Sequence, residues 1–157
     1  ETKPKPEQIM AKLEETIRGQ QYSFGIQVLI YALISGSFAV FFGGDARDMI
    51  ASAMIGILLK FLESFLKKGS LNKLITALIC SVAGGFLANL SVMIGLGSHA
   101  DFISIGNIML LIPGVAFTNS LRDMFSGDTI TGLVRFLESV LLAIIIALGF
   151  TLSYLLF

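Results

Sequence analysis

Between Pro113 and Ser139 the chain gathers side chains suited to holding a small ionised metabolite. Thr118, Asn119, Arg122 and Asp123 fall within six positions, so on a helix Thr118 and Arg122 share one face and Asn119 and Asp123 another. Hydroxyl and amide groups donate hydrogen bonds to a carboxylate, and an arginine supplies its countercharge. Arg135 and Glu138 follow on the next polar stripe together with Thr131, and Gly127 and Asp128 between the two groups read as a helix stop and an N-cap. Earlier in the chain Lys60 and Glu63 repeat the i, i+3 spacing of Arg135 and Glu138. Ions inside apolar segments cost about 2.5 to 3.5 kcal/mol on insertion scales, so these pairs are read first as substrate or proton-coupling groups. Structural ion pairs near the membrane interface are the alternative for Lys60 and Glu63.

The element that must position this group is interrupted. Pro113 has no amide hydrogen, so the carbonyl of Met109 loses its helical partner, and Gly114 loosens the backbone further. A break at membrane depth is tolerated where the freed groups face protein or a wet cavity. Pro113 can also start a second half-helix whose first amides turn a positive dipole end toward the gap, a place for an anionic substrate group. A plain proline kink is the competing account. The expected binding set is therefore Pro113, Gly114, Thr118, Asn119, Arg122 and Arg135, with Asp123, Glu138, Glu63, Lys60 and Asp128 as proton-coupling or ion-pairing groups.

The remaining composition says what surrounds that set. Of 157 residues 55% are hydrophobic and 14% charged, with a mean hydropathy of +0.85, well above a water-soluble domain. Apolar runs over 22–42, 48–66, 71–96, 102–121 and 129–157 are each long enough to cross a hydrocarbon core of about 30 Å. The fold expected is an all-α polytopic transmembrane bundle of about five spans, the fourth broken at Pro113 and Gly114. Residues 1–20 read as a cytoplasmic amphipathic segment, with Ile9, Met10, Leu13 and Ile17 at helical spacing, and 21–157 as the transmembrane domain. A start at Glu1 without an initiator methionine suggests a piece of a longer protein.

Basic residues concentrate before the first span, between the second and third, and at the junction of the fourth and fifth, which predicts a cytoplasmic N-terminus. The net charge is zero and no basic face stands out, so nucleic acid is excluded as a partner. Cys80 is the single cysteine and His99 the single histidine, too few for a zinc site, and His99 reads as a solvated loop residue. No nucleophile–base order or phosphate loop is present, so neither an enzyme nor a cofactor is expected. Small residues recur every fourth position at Ser35, Ala39 and Gly43, at Ala77, Ser81 and Gly85, and at Ala143 and Ala147, read as close helix packing within the bundle. Arg-Asp-Met recurs at 47 and 122, and Lys60-Phe-Leu-Glu-Ser recurs as Arg135-Phe-Leu-Glu-Ser at the same interval. An inverted repeat and chance similarity both account for this.

Over Ile112 to Ser139 the sequence resembles the threonine/serine exporter family, which includes paired inner-membrane subunits implicated in succinate export. The resemblance rests on Pro113, Gly114, Thr118, Asn119, Arg122, Asp123, Gly127, Asp128, Gly132, Arg135 and Glu138 in that order, and extends more weakly over the first three spans, including Phe42 to Gly44. It implies a multi-pass protein of the inner membrane that exports a small carboxylate, threonine and serine or a dicarboxylate such as succinate, in exchange for protons. It also implies a partner: a second small membrane subunit or module of the same family, or another copy of the chain. A structural or regulatory subunit whose partner forms the pathway is the alternative.

Overall fold

The computed structural model describes residues 22–69 and 71–156, so the amphipathic segment expected over 1–20 lies outside it. Among the described residues there are six helices and no strand: α1 Phe24–Phe41, α2 Ala46–Lys68, α3 Lys73–Met93, α4 Ala100–Leu111, α5 Gly114–Phe125 and α6 Thr129–Leu155. Of these, α1, α2, α3 and α6 are long and apolar enough to cross a membrane, and α4 with α5, bent by 49° at their junction, makes a fifth span if taken as one. This is the broken-span bundle that the apolar runs predict. Large side chains such as Leu33, Phe65 and Val115 point outward from the spans. In lipid that surface is solvated; in water it would be an extended apolar patch.

The bundle is organised around α2 and α3. Helix α1 packs on α2 and α4, α2 also meets α3 and α4, and α3 carries α6, on which α5 folds back. One core joins Ala51, Ile55 and Leu59 of α2 to Cys80 and Ala88 of α3 and Ile103 of α4; a second gathers Leu142, Ile146 and Phe150 of α6. The small-residue stripes do what close packing requires. Ser35 and Ala39 are fully buried, and a Cβ placed on Gly106 of α4 would lie 2.5 Å from the Ser35 carbonyl. Gly85 of α3 is pressed against Ser153 and Phe150 of α6.

Two polar clusters lock the helices where no hydrophobic effect can. At mid-bundle the Ser35 hydroxyl lies 2.7 Å from that of Ser52 and 2.8 Å from Asn107 Oδ1, while Asn107 Nδ2 donates to the Ile103 carbonyl at 2.8 Å. At the end where α2 and α4 begin, Asp45 caps α2 in a reciprocal capping box with Asp48. Asp48, wholly buried, also accepts the backbone amides of Ser98 and His99 at 2.7 and 3.0 Å and faces His99 Nδ1 at 2.9 Å. His99 stands outside the helix as the N-cap residue of α4, half exposed as a solvated loop residue would be, but with its ring tied to an acid that the sequence reading does not foresee. The sequential distance of about fifty residues hides such a contact from any local pattern.

The repeated motifs follow unrelated paths. Arg47 to Ser64 runs along one continuous helix, α2, whereas Arg122 to Ser139 ends one helix, turns, and enters another. The duplication reading is therefore set aside in favour of chance similarity.

Candidate functional site

The interruption is a defined turn. Ile112, before proline, is extended at φ −61° and ψ 132°, and Pro113 at φ −78° and ψ 55° sits at the centre of an inverse γ-turn closed by Gly114 N donating to the Ile112 carbonyl at 2.9 Å. Helix α5 then restarts, with Phe117 N donating to the Pro113 carbonyl at 2.9 Å. Pro113 is its N-cap, one position outside the first-turn place expected of it. The last carbonyls of α4 and first amides of α5 are left at the gap, because helix geometry gives them no partner within their own segment.

The chain returns sharply after α5. Gly127 takes φ +98°, which a side chain would disfavour, and Gly132 of α6 passes so close to α5 that an added Cβ would lie 2.7 Å from Met124 N. That tight crossing sets the ion pair. Arg135 Nη1 bonds Asp123 Oδ2 at 2.8 Å. It is not paired with Glu138, the partner its spacing suggests, because Asp123 on the neighbouring helix offers an acceptor across the crossing. Asp128 stands at the N-cap of α6 as expected, but its side chain makes no capping bond.

Beside the gap lies a cavity of about 510 Å³ bounded by α3, α5 and α6. Its polar wall is Asn72, Lys73, Asn119, Arg135, Glu138 and Ser139, and Pro113, Ala116, Leu74 and Leu142 supply the apolar wall. Of the expected binding residues, Pro113, Asn119 and Arg135 meet here with Glu138. Gly114 and Thr118 fall elsewhere: both line a groove on the far side of α5 with Ala143 and Ala147, and the Thr118 hydroxyl donates back to the Gly114 carbonyl at 3.0 Å. Arg122 is exposed at the end of α5 and lines neither space.

Lys73 was not singled out by the sequence, yet it is the cation that matters for charge balance. With Arg135 held by Asp123, Lys73 and Glu138 are the cavity's two charged groups without an ion-pair partner among the described residues. The signal available was its place, directly after Asn72, which caps α3 by accepting Leu74 N at 3.1 Å.

A second cavity of about 370 Å³ adjoins the first and shares Lys73 and Leu142 with it. Glu63 is on its wall. The expected pair forms, Lys60 Nζ lying 3.1 Å from Glu63 Oε2, but within a larger cluster. The Tyr31 hydroxyl donates to the same oxygen at 2.7 Å and Lys67 Nζ meets Oε1 at 2.7 Å. Lys60 also lies 4.7 Å from the centre of the Tyr31 ring, a cation–π contact. A carboxylate so fully engaged is a structural tie between α1 and α2 before it is a carrier.

A broken span with a partly polar cavity beside it, in a bundle of apolar helices, defines a multi-pass membrane protein. The chain belongs to the threonine/serine exporter family, ThrE, whose match extends over residues 1–157. It is similar to the threonine/serine exporter of Corynebacterium glutamicum, 27% identical over 143 residues. That match covers 86% of this chain and 28% of the relative, so the chain spans under a third of the length of the relative it matches. No solved structure matches it. The family and the apolar helices together make it a multi-pass membrane protein.

Proposed function

We propose that the chain is the membrane half of a proton-coupled exporter of a small amino acid of the threonine or serine kind, bound in the cavity beside Pro113. The observation that carries this is the pairing state of the cavity's charges: one ammonium, Lys73, and one carboxylate, Glu138, stand without ion-pair partners among the described residues on a wall that also offers the Asn72 and Asn119 amides. A zwitterion completes both. Its carboxylate meets Lys73 at the N-terminal end of α3, with Asn119 donating, and its ammonium meets Glu138. The Arg135–Asp123 pair closes the side toward α5. A dicarboxylate such as succinate would leave Glu138 facing a like charge, so we place it second.

Proton and substrate then compete for one carboxylate, Glu138, and export in exchange for an entering proton needs no further group. With an N-terminus on the cytoplasmic side, the cavity opens at the cytoplasmic end of the bundle. Because the relative is several times longer, a second membrane module, separate or as another copy, completes the outer half of the path.

Radiolabelled serine efflux from proteoliposomes tests this. Lys73→Gln and Glu138→Gln are each expected to lower flux by about tenfold or more, as the loss of a charge-assisted bond implies. Lys68→Gln, on the same end of α2 but away from the cavity, serves as the control. Wild-type flux from both variants would remove the cavity from the pathway.

A further inference from the structure

The second cavity has its own polar group, which the transport reading leaves idle. Thr76 of α3 is 7% exposed, lines this space, and its Oγ1 has no hydrogen-bond partner among the described residues. Leaving a buried hydroxyl unsatisfied costs about 1 to 3 kcal/mol, so a position that tolerates it calls for an occupant. Three features fix the occupant's charge. The cavity lies along the first turn of α3, a 21-residue helix whose dipole is positive at this end. Lys73, without an ion-pair partner among the described residues, lines it as well as the first cavity. Glu63, the only acid on the wall among the described residues, is already neutralised by Lys60 and Lys67. The local balance is therefore positive, and a metal cation is disfavoured there.

We propose that this cavity is a second subsite for a carboxylate, held by the Lys73 ammonium and the Thr76 hydroxyl. Lys73 is common to both spaces, so a carboxylate captured at Thr76 can pass into the first cavity without losing its countercharge. The proposal rests on the transport reading for the identity of the carboxylate, but not for the existence of the subsite.

Cys80, the chain's single cysteine, also lines this cavity but is only 1% exposed, so the reporter is Ala77→Cys, on the same wall beside Thr76, in a Cys80→Ser background. In membrane vesicles carrying the full chain, an anionic methanethiosulfonate should modify the Ala77→Cys thiol at least about tenfold faster than its trimethylammonium counterpart, as a positively charged cleft steers anions. Acetate and serine should each slow the reaction. Lys73→Gln should bring the two reagents to equal rates, and Thr76→Val should abolish protection while Thr76→Ser restores it. Protection by acetate alone keeps the subsite and removes the amino-acid reading of transport. No modification by either reagent, equal rates with Lys73 in place, or no protection by acetate would overturn the subsite whatever the chain exports.

Discussion

The two ends of the bundle handle charge in opposite ways. Where α2 and α4 begin, Asp48 is wholly buried and both its oxygens are occupied, by the amides of Asp45, Ser98 and His99 and by the His99 ring. Where α3 and α5 begin, Lys73 and Glu138 line a cavity with no ion-pair partner among the described residues, and the Arg135 side chain is 60% exposed although paired. Asp45, Asp48 and His99 stand close enough to suggest a metal site. Their donors are already spent on backbone amides and on one another, so the same acids that could ligate an ion instead tie two helix starts together. Full satisfaction marks the buried end, and charges left exposed at a cavity mark the other.

That contrast breaks most visibly at Asp48. Asp48→Ala strips acceptors from three backbone amides and a ring nitrogen around a wholly buried carboxylate, and should lower stability in detergent by roughly 3 to 5 kcal/mol. Lys73→Gln should cost less than about 0.5 kcal/mol by the same measurement while lowering flux by about tenfold or more. Equal destabilisation by both would erase the distinction between the ends. Gly106→Ala comes next. Its new methyl would meet the Ser35 carbonyl and the Ser52 hydroxyl, the latter at 2.6 Å, and separate α4 from α1 and α2. Overpacking of this kind costs about 1 to 3 kcal/mol, readable as a lowered unfolding midpoint. An unchanged midpoint would mean that the Ser35–Ser52–Asn107 network yields easily. Smaller still is Asp123→Asn, since a pair as exposed as Arg135–Asp123 contributes under about 1 kcal/mol. Its stability should hardly move, whereas a freed Arg135 should pull substrate carboxylate away from Lys73 and weaken serine selectivity over succinate.

What could be seen in the chain beforehand follows the same division. Apolar run length shows the spans, and proline chemistry shows the break at Pro113, because both are local. The Lys60–Glu63 pair was legible for the same reason, lying one turn apart on α2. Pairing across helices was not. Arg135 has Glu138 at helical spacing but bonds Asp123, because the close crossing at Gly132 presents a better-placed acceptor than its own helix does. Thr118 and Asn119 are neighbours in sequence and look equally suited to a substrate, yet successive helical residues point about 100° apart, and only Asn119 faces the cavity. Lys73, in a loop-side basic cluster, gave the topology its sign and concealed its role in the site. His99 was hidden by its separation from Asp48, which only the tertiary fold closes.

His99 offers the finest probe of the buried end. Its hydrogen bond to Asp48 holds the imidazolium above the ordinary histidine value of 6.5, with the Asp45 and Asp101 charges adding to that. A group whose folded value is raised lends stability that is fully present below its unfolded value and is lost as pH climbs through the folded one. The bundle should therefore be most stable at about pH 6 and lose stability as pH rises above about 6.5, by an amount kept small because the ring is half exposed. The capping acid Asp45 acts in a separate window: its value is lowered from 3.8, chiefly by the backbone amide of Asp48, and its contribution fades only in stronger acid. His99→Gln should flatten the upper transition. A profile level from about pH 6 to 9 in the unmodified protein would show that the Asp48–His99 contact carries no charge, and that the helix starts are held by the backbone amides without help from the ring.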